Sequence, residues 1–137
     1  MVNFQKEKVD LMLIDAIKKY TKPFDSILDL DPLIEAIGDA KYVLLGESSH
    51  GTAEFYTLRA ELTKRLIKEK GFSFIAVEGD WPACQSINRY IKGYDKEKQE
   101  VKEVLEAFNR WPTWMWANQE IINLIEWLRD YNEQYSI

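Results

Sequence analysis

Glu47 and His50 stand three residues apart in the run Gly46-Glu-Ser-Ser-His-Gly51, and His50 is the sole histidine of the chain. A neutral imidazole accepts a proton near pH 7, and a carboxylate at that spacing can orient it, so the pair suits general-base activation of water. Arg59 offers a fork that could hold a carboxylate, and Glu78-Gly-Asp80 supplies a second acidic cluster. Three readings fit these residues. They form a hydrolytic site of His50, Glu47, Glu78 and Arg59; or a structural network in which the glutamates hold Arg59 and His50 hydrogen-bonds its own loop; or a metal site of Glu47, His50, Glu78 and Asp80, which lacks the second histidine of familiar catalytic zinc motifs. A serine nucleophile does not fit: Ser48 has His50, not glycine, two residues on, and Ser49 has Glu47, not glycine, two residues before.

The elements that must position this set are read from periodicity and caps. Val9 to Lys19 has apolar residues at helical spacing, ended by Pro23, and Asp31-Pro32 opens a short helix that stops at Gly38. Thr52 caps a helix with Phe55, Leu58, Leu62 and Leu66 on one face, and Gly71 closes it. The apolar runs Tyr42–Leu45 and Phe72–Val77 on either side read as buried strands, which gives a right-handed βαβ unit with parallel strands. Both acidic clusters then fall at the carboxyl rim of the sheet, where ligands bind, with His50 at a helix start that disfavours a further positive charge.

Asp80-Trp-Pro82 begins another helix to about Ile91, closed by Gly93; Glu97–Phe108 and Asn118–Tyr131 read as two more, with Val101, Val104, Leu105, Phe108, Ile121, Leu124, Ile125 and Leu128 inward. Following Arg110, Trp111–Trp116 packs three tryptophans and a methionine into six residues. Such residues fill a core or line an apolar substrate cleft, and Trp81, Trp114 and Trp116 are the substrate-binding candidates. The expected organisation is one domain over residues 1–137: a helical lead-in 1–40, a motif-bearing βαβ core 41–80 and a helical remainder 81–137. Its class is α/β, helix-rich, with parallel strands flanked by helices.

Bulk composition narrows the function. Eighteen basic and 23 acidic residues give a net charge of −5, which argues against non-specific nucleic-acid binding. Cys84 is a lone cysteine, so no intrachain disulfide forms, and no apolar run is long enough for a signal-peptide core or membrane span. A cytoplasmic protein is expected, with no membrane or nucleic-acid partner.

The ordered blocks VLLGESSHGTAEFYTLRAELTKRLIKEKGF, AVEGDWP, NRYIKG and FNRWPTWMWANQEIINLIEWLRDYN resemble the erythromycin esterase family, including succinoglycan biosynthesis protein-like members. The resemblance implies an α/β hydrolase that uses no metal or cofactor and acts on a small-molecule ester or lactone, its best-known members opening a macrolide ring by activating water. The family's GExxHG motif falls on Gly46, Glu47, His50 and Gly51, its helix arginine on Arg59, and its strand-end glutamate on Glu78. Family members are roughly three times as long, and a further active-site histidine would follow Ile137. The chain is therefore expected to be the N-terminal portion of such an enzyme, weakly active or inactive alone, and able to self-associate through an open sheet edge.

Overall fold

The computed structural model describes residues 2–94 and 100–135. Among these residues the elements are α1 (Val2–Tyr20), α2 (Asp31–Ile37), α3 (Ala53–Lys70), α4 (Trp81–Ile91), α5 (Val101–Leu105) and α6 (Gln119–Tyr135), with 3₁₀ turns at Ile27–Leu30 and Thr113–Met115. The first part of the helix expected over Glu97–Phe108 lies outside the described residues.

Local chemistry sets the helix ends. Thr52 is extended before α3, Glu54 lies in its first turn, and Lys68 and Lys70 lie in its last, each charge matched to the helix dipole. Gly71 then turns left-handed (φ 72°), a conformation that costs glycine least, and Phe72 N–H closes onto the Leu66 carbonyl at 3.2 Å. A capping box of Glu100 and Glu103 starts α5. Asn118 opens α6: its Oδ1 accepts from Ile121 N–H at 2.9 Å, and its amide donates to the carbonyls of Trp114 (3.1 Å) and Met115 (3.2 Å). One side chain thereby fixes both the helix start and the tryptophan-rich turn before it.

Helix α3 lies between two apolar clusters. On one side, Tyr56 joins Ala83 and Tyr90 of α4, Val101, Val104 and Leu105 of α5, Phe108, and Ile121 and Ile125 of α6. On the other, Leu62 and Leu66 pack with Leu30 and Ile34, and Val43, Leu45, Ile37 and Phe72 border them. Full burial of such a side chain contributes about 1.5–3 kcal/mol, so these clusters outweigh any single cap. The α4–α6 contact is also tied through polar groups. Arg129 lies over the Tyr90 ring at 4.5 Å, and Asn132 donates to the Ile91 carbonyl at 2.8 Å, satisfying the end of α4 from the neighbouring helix. Helix α1 packs on no other element among the described residues, and Val9, Leu13 and Ile17 are exposed on it.

The parallel βαβ core expected over residues 41–80 is not present: among the described residues there are helices and irregular segments, and no strand or sheet. The α/β assignment is corrected accordingly to a helical arrangement. Residues 42–45 and 72–77 are apolar as expected, yet no backbone hydrogen bond joins them among the described residues. A ladder needs its strands about 4.8 Å apart. These two segments instead share the lining of an open cavity of about 1530 Å³. Val43 and Leu45 turn toward the second cluster while Leu44 is 94% exposed, and in the second segment only Phe72 is partly buried, Phe74, Ile75 and Val77 all being exposed. An apolar run becomes a strand only when a partner satisfies its backbone, and a two-stranded pair is marginal even then. The self-association expected of a sheet edge has no such edge to use among these residues.

Candidate active site

The loop of residues 46–52 enters α3, and two residues on that helix reach back to it. Glu47 is the hub. Its Oε1 lies 2.5 Å from His50 Nδ1, and its Oε2 accepts from Arg59 Nη2. An ionised carboxylate only accepts, so the nitrogen facing it carries the proton, and the neutral His50 ring is left with Nε2 as its free base. The Glu47 side chain is 11% exposed and that of His50 49%, so the orienting group is sheltered while the imidazole remains open to solvent.

Tyr56 was not among the expected site residues. Its hydroxyl donates to the His50 carbonyl at 2.9 Å, and its ring is buried in the first cluster. Burial, and next the nearby charge of Glu47, push its hydroxyl above the ordinary tyrosine value, so it remains a donor. The signal in the sequence is spacing: Tyr56 and Arg59, three apart on one helix, share a face.

Glu47, His50, Arg59 and Glu78 all line the large cavity, together with Trp116 and Met115. Glu78 differs from the other three. Its carboxylate makes no ion pair among the described residues, while its backbone carbonyl accepts from Trp116 Nε1 at 3.0 Å. Asp80 is not in the cavity lining and faces Arg110 at 3.5 Å. Among the described residues no three histidine, cysteine or acidic side chains converge as a cation site, so the alternative set of Glu47, His50, Glu78 and Asp80 is not gathered. Of the tryptophan candidates, Trp116 lines the cavity, whereas Trp81 and Trp114 lie outside its lining and are exposed.

Ser49 serves the loop: its Oγ accepts from Gly51 N–H at 3.1 Å. Burial, with the charge of Asp80 second, pushes the Cys84 thiol up, away from the thiolate that a nucleophile requires. Among the described residues no helix is long and apolar enough to cross a membrane.

Comparison with known proteins places the chain in a family. A sequence profile described as erythromycin esterase matches residues 67–136. The chain is 34% identical over 115 residues to erythromycin esterase type II of Escherichia coli, a match covering 84% of this chain and 26% of that protein. A solved structure of a succinoglycan biosynthesis protein superposes with a TM-score of 0.76 at 34% identity, covering 95% of this chain and 32% of the other. The chain thus spans about a quarter to a third of the length of these relatives. On the profile match and the identity together, the chain belongs to the erythromycin esterase family.

Proposed function

We propose that these residues belong to a hydrolase that cleaves a carboxylic ester or a macrolide lactone by activating water. The observation that carries the reading is the bridging of His50 and Arg59 by the single carboxylate of Glu47, at the wall of a cavity large enough for a ring-sized substrate.

In this scheme His50 Nε2 removes a proton from water as the oxygen attacks the acyl carbon, and the carbonyl becomes a tetrahedral oxyanion. The carbon–oxygen bond to the leaving alkoxide then breaks, and the imidazolium returns its proton to that alkoxide. One water is consumed, giving one acid and one alcohol. Glu47 keeps Nδ1 protonated and stabilises the imidazolium that forms, and Arg59 holds Glu47 in place. Glu78, also on the cavity lining and with no salt-bridge partner among the described residues, is the second carboxylate available to orient water or substrate. The erythromycin esterase name of a relative supports a macrolide lactone as substrate, and the apolar lining from Leu44, Ile75, Val77 and Trp116 suits such a ring.

The test is hydrolysis of an activated ester and of a macrolide lactone, followed by mass spectrometry. It is run on the 137-residue chain and on the full reading frame that carries it, each beside His50→Ala. Turnover that falls by about a hundredfold or more in His50→Ala is the expected result. Turnover indifferent to His50 would remove the imidazole from the chemistry.

A further inference from the structure

We propose that Tyr56 is a positioning residue for His50: its hydroxyl clamps the His50 backbone so that the imidazole stays on Glu47. This rests on the hydrolytic reading above and extends it to a residue of the same cavity lining that acts through His50.

The argument is mechanical. The contact between Glu47 and His50 spans a loop whose two ends are tied to one face of α3. Arg59 holds the Glu47 carboxylate, and Tyr56, three residues earlier on the same helix, holds the His50 carbonyl at 2.9 Å. Between the two ties lie Ser48 and Ser49, both exposed, and the hydrogen bond found there closes Gly51 N–H onto Ser49 Oγ within the loop itself. The imidazole is half exposed, so water competes for Nδ1 whenever the span opens. Tyr56 is the firm end of this span: it is 5% exposed and packs among Ala83, Ile121 and Ile125. A phenylalanine would fill the same apolar space. What the tyrosine adds is one buried hydroxyl, and its partner is the backbone of His50.

Because His50 is the sole histidine, its ring nitrogens can be read without assignment ambiguity in the 137-residue chain. The experiment records long-range proton–nitrogen spectra in alkaline buffer, with the imidazole neutral, for the parent chain, Tyr56→Phe and Tyr90→Phe. Tyr90 is a second buried tyrosine of the same core, and it controls for general loosening. The parent is expected to show a protonated Nδ1 and a bare Nε2. In Tyr56→Phe the ratio of Nδ1–H to Nε2–H forms is expected to fall several-fold, while melting stays within a few degrees and Tyr90→Phe leaves the pattern unchanged. Where turnover is measurable, kcat of Tyr56→Phe is expected to fall about tenfold with KM within about twofold, as for a lost positioning contact.

An unchanged nitrogen pattern in Tyr56→Phe overturns the proposal, and so does an equal change in Tyr90→Phe. A changed pattern in a protein that hydrolyses no ester leaves the clamp standing and removes the hydrolytic reading. Hydrolysis that depends on His50 but not on Tyr56, with the pattern unaltered, does the reverse.

Discussion

Glu47 Oε1 lies 2.5 Å from His50 Nδ1, and the second oxygen of the same carboxylate is taken by Arg59. Losing Glu47 therefore breaks two contacts, whereas losing Arg59 breaks one and leaves the histidine still partnered. Glu47→Ala is expected to destabilise by about 1–3 kcal/mol, Arg59→Ala by less, and the pair to couple by about 0.5–3 kcal/mol in a double-mutant cycle. Urea unfolding of the four proteins measures this. Additive effects would mean that the carboxylate is not shared in solution.

Gly79 sits where a side chain would crowd two neighbours. A Cβ placed there would meet Cys84 Sγ at 2.6 Å and Trp116 Nε1 at 3.3 Å, and this indole nitrogen is the one that donates to the Glu78 carbonyl. Gly79→Ala should push the indole off that carbonyl and lower stability by about 1–3 kcal/mol, as expected of overpacking. Near-ultraviolet circular dichroism and urea unfolding check the two parts separately, and a change in neither would mean that the turn relaxes freely.

The helices were legible because their signals are local. Asp31-Pro32 starts α2, Gly71 stops α3, and the inward set Val101, Val104, Leu105 and Phe108 is buried as the spacing predicts. That Tyr42–Leu45 and Phe72–Val77 form no strand among the described residues was not legible, because both runs carry strand composition while strand formation depends on a partner that no local pattern reports. Within the candidate site, the closeness of Glu47 and His50 was readable from their spacing, and Arg59 from its place two turns into the helix. Tyr56 escaped because the apolar face of its helix is read from Phe55, Leu58, Leu62 and Leu66, which leaves Tyr56 without an assigned partner. Its hydroxyl becomes informative only once the His50 carbonyl is seen beside it.

Acid should loosen the approach to α2 and the end of α3. The backbone N–H groups of Asp25 (2.9 Å) and Ser26 (2.8 Å) donate to Asp29 Oδ2 and hold its carboxyl below the ordinary range; Arg65 does the same for Glu69. A carboxyl depressed in the folded state stabilises the fold above its unfolded value, and that contribution is lost as pH falls through the folded value. The loss thus belongs below about pH 4, not near neutrality. Asp29→Asn should melt below the parent chain at about pH 6, with the gap closing toward about pH 2. A gap independent of pH would show that the charge on Asp29 is not what the two amides favour.

Glu78 offers a separation of chemistry from stability. Its carboxylate is exposed on the cavity lining and makes no ion pair among the described residues, so the fold has little to lose when its charge is removed. Glu78→Gln preserves side-chain size and leaves the backbone carbonyl available to Trp116. Its stability should lie within about 0.5 kcal/mol of the parent, as for a surface substitution away from any network. If the carboxylate orients water or substrate beside His50, turnover of the ester should nevertheless fall by about tenfold or more in whichever chain hydrolyses it. Measuring urea unfolding and turnover on the same preparations decides the matter. Unchanged turnover would restrict the working set to Glu47, His50 and Arg59, whereas a large loss of stability would place Glu78 in the fold and leave its effect on rate unattributable to chemistry.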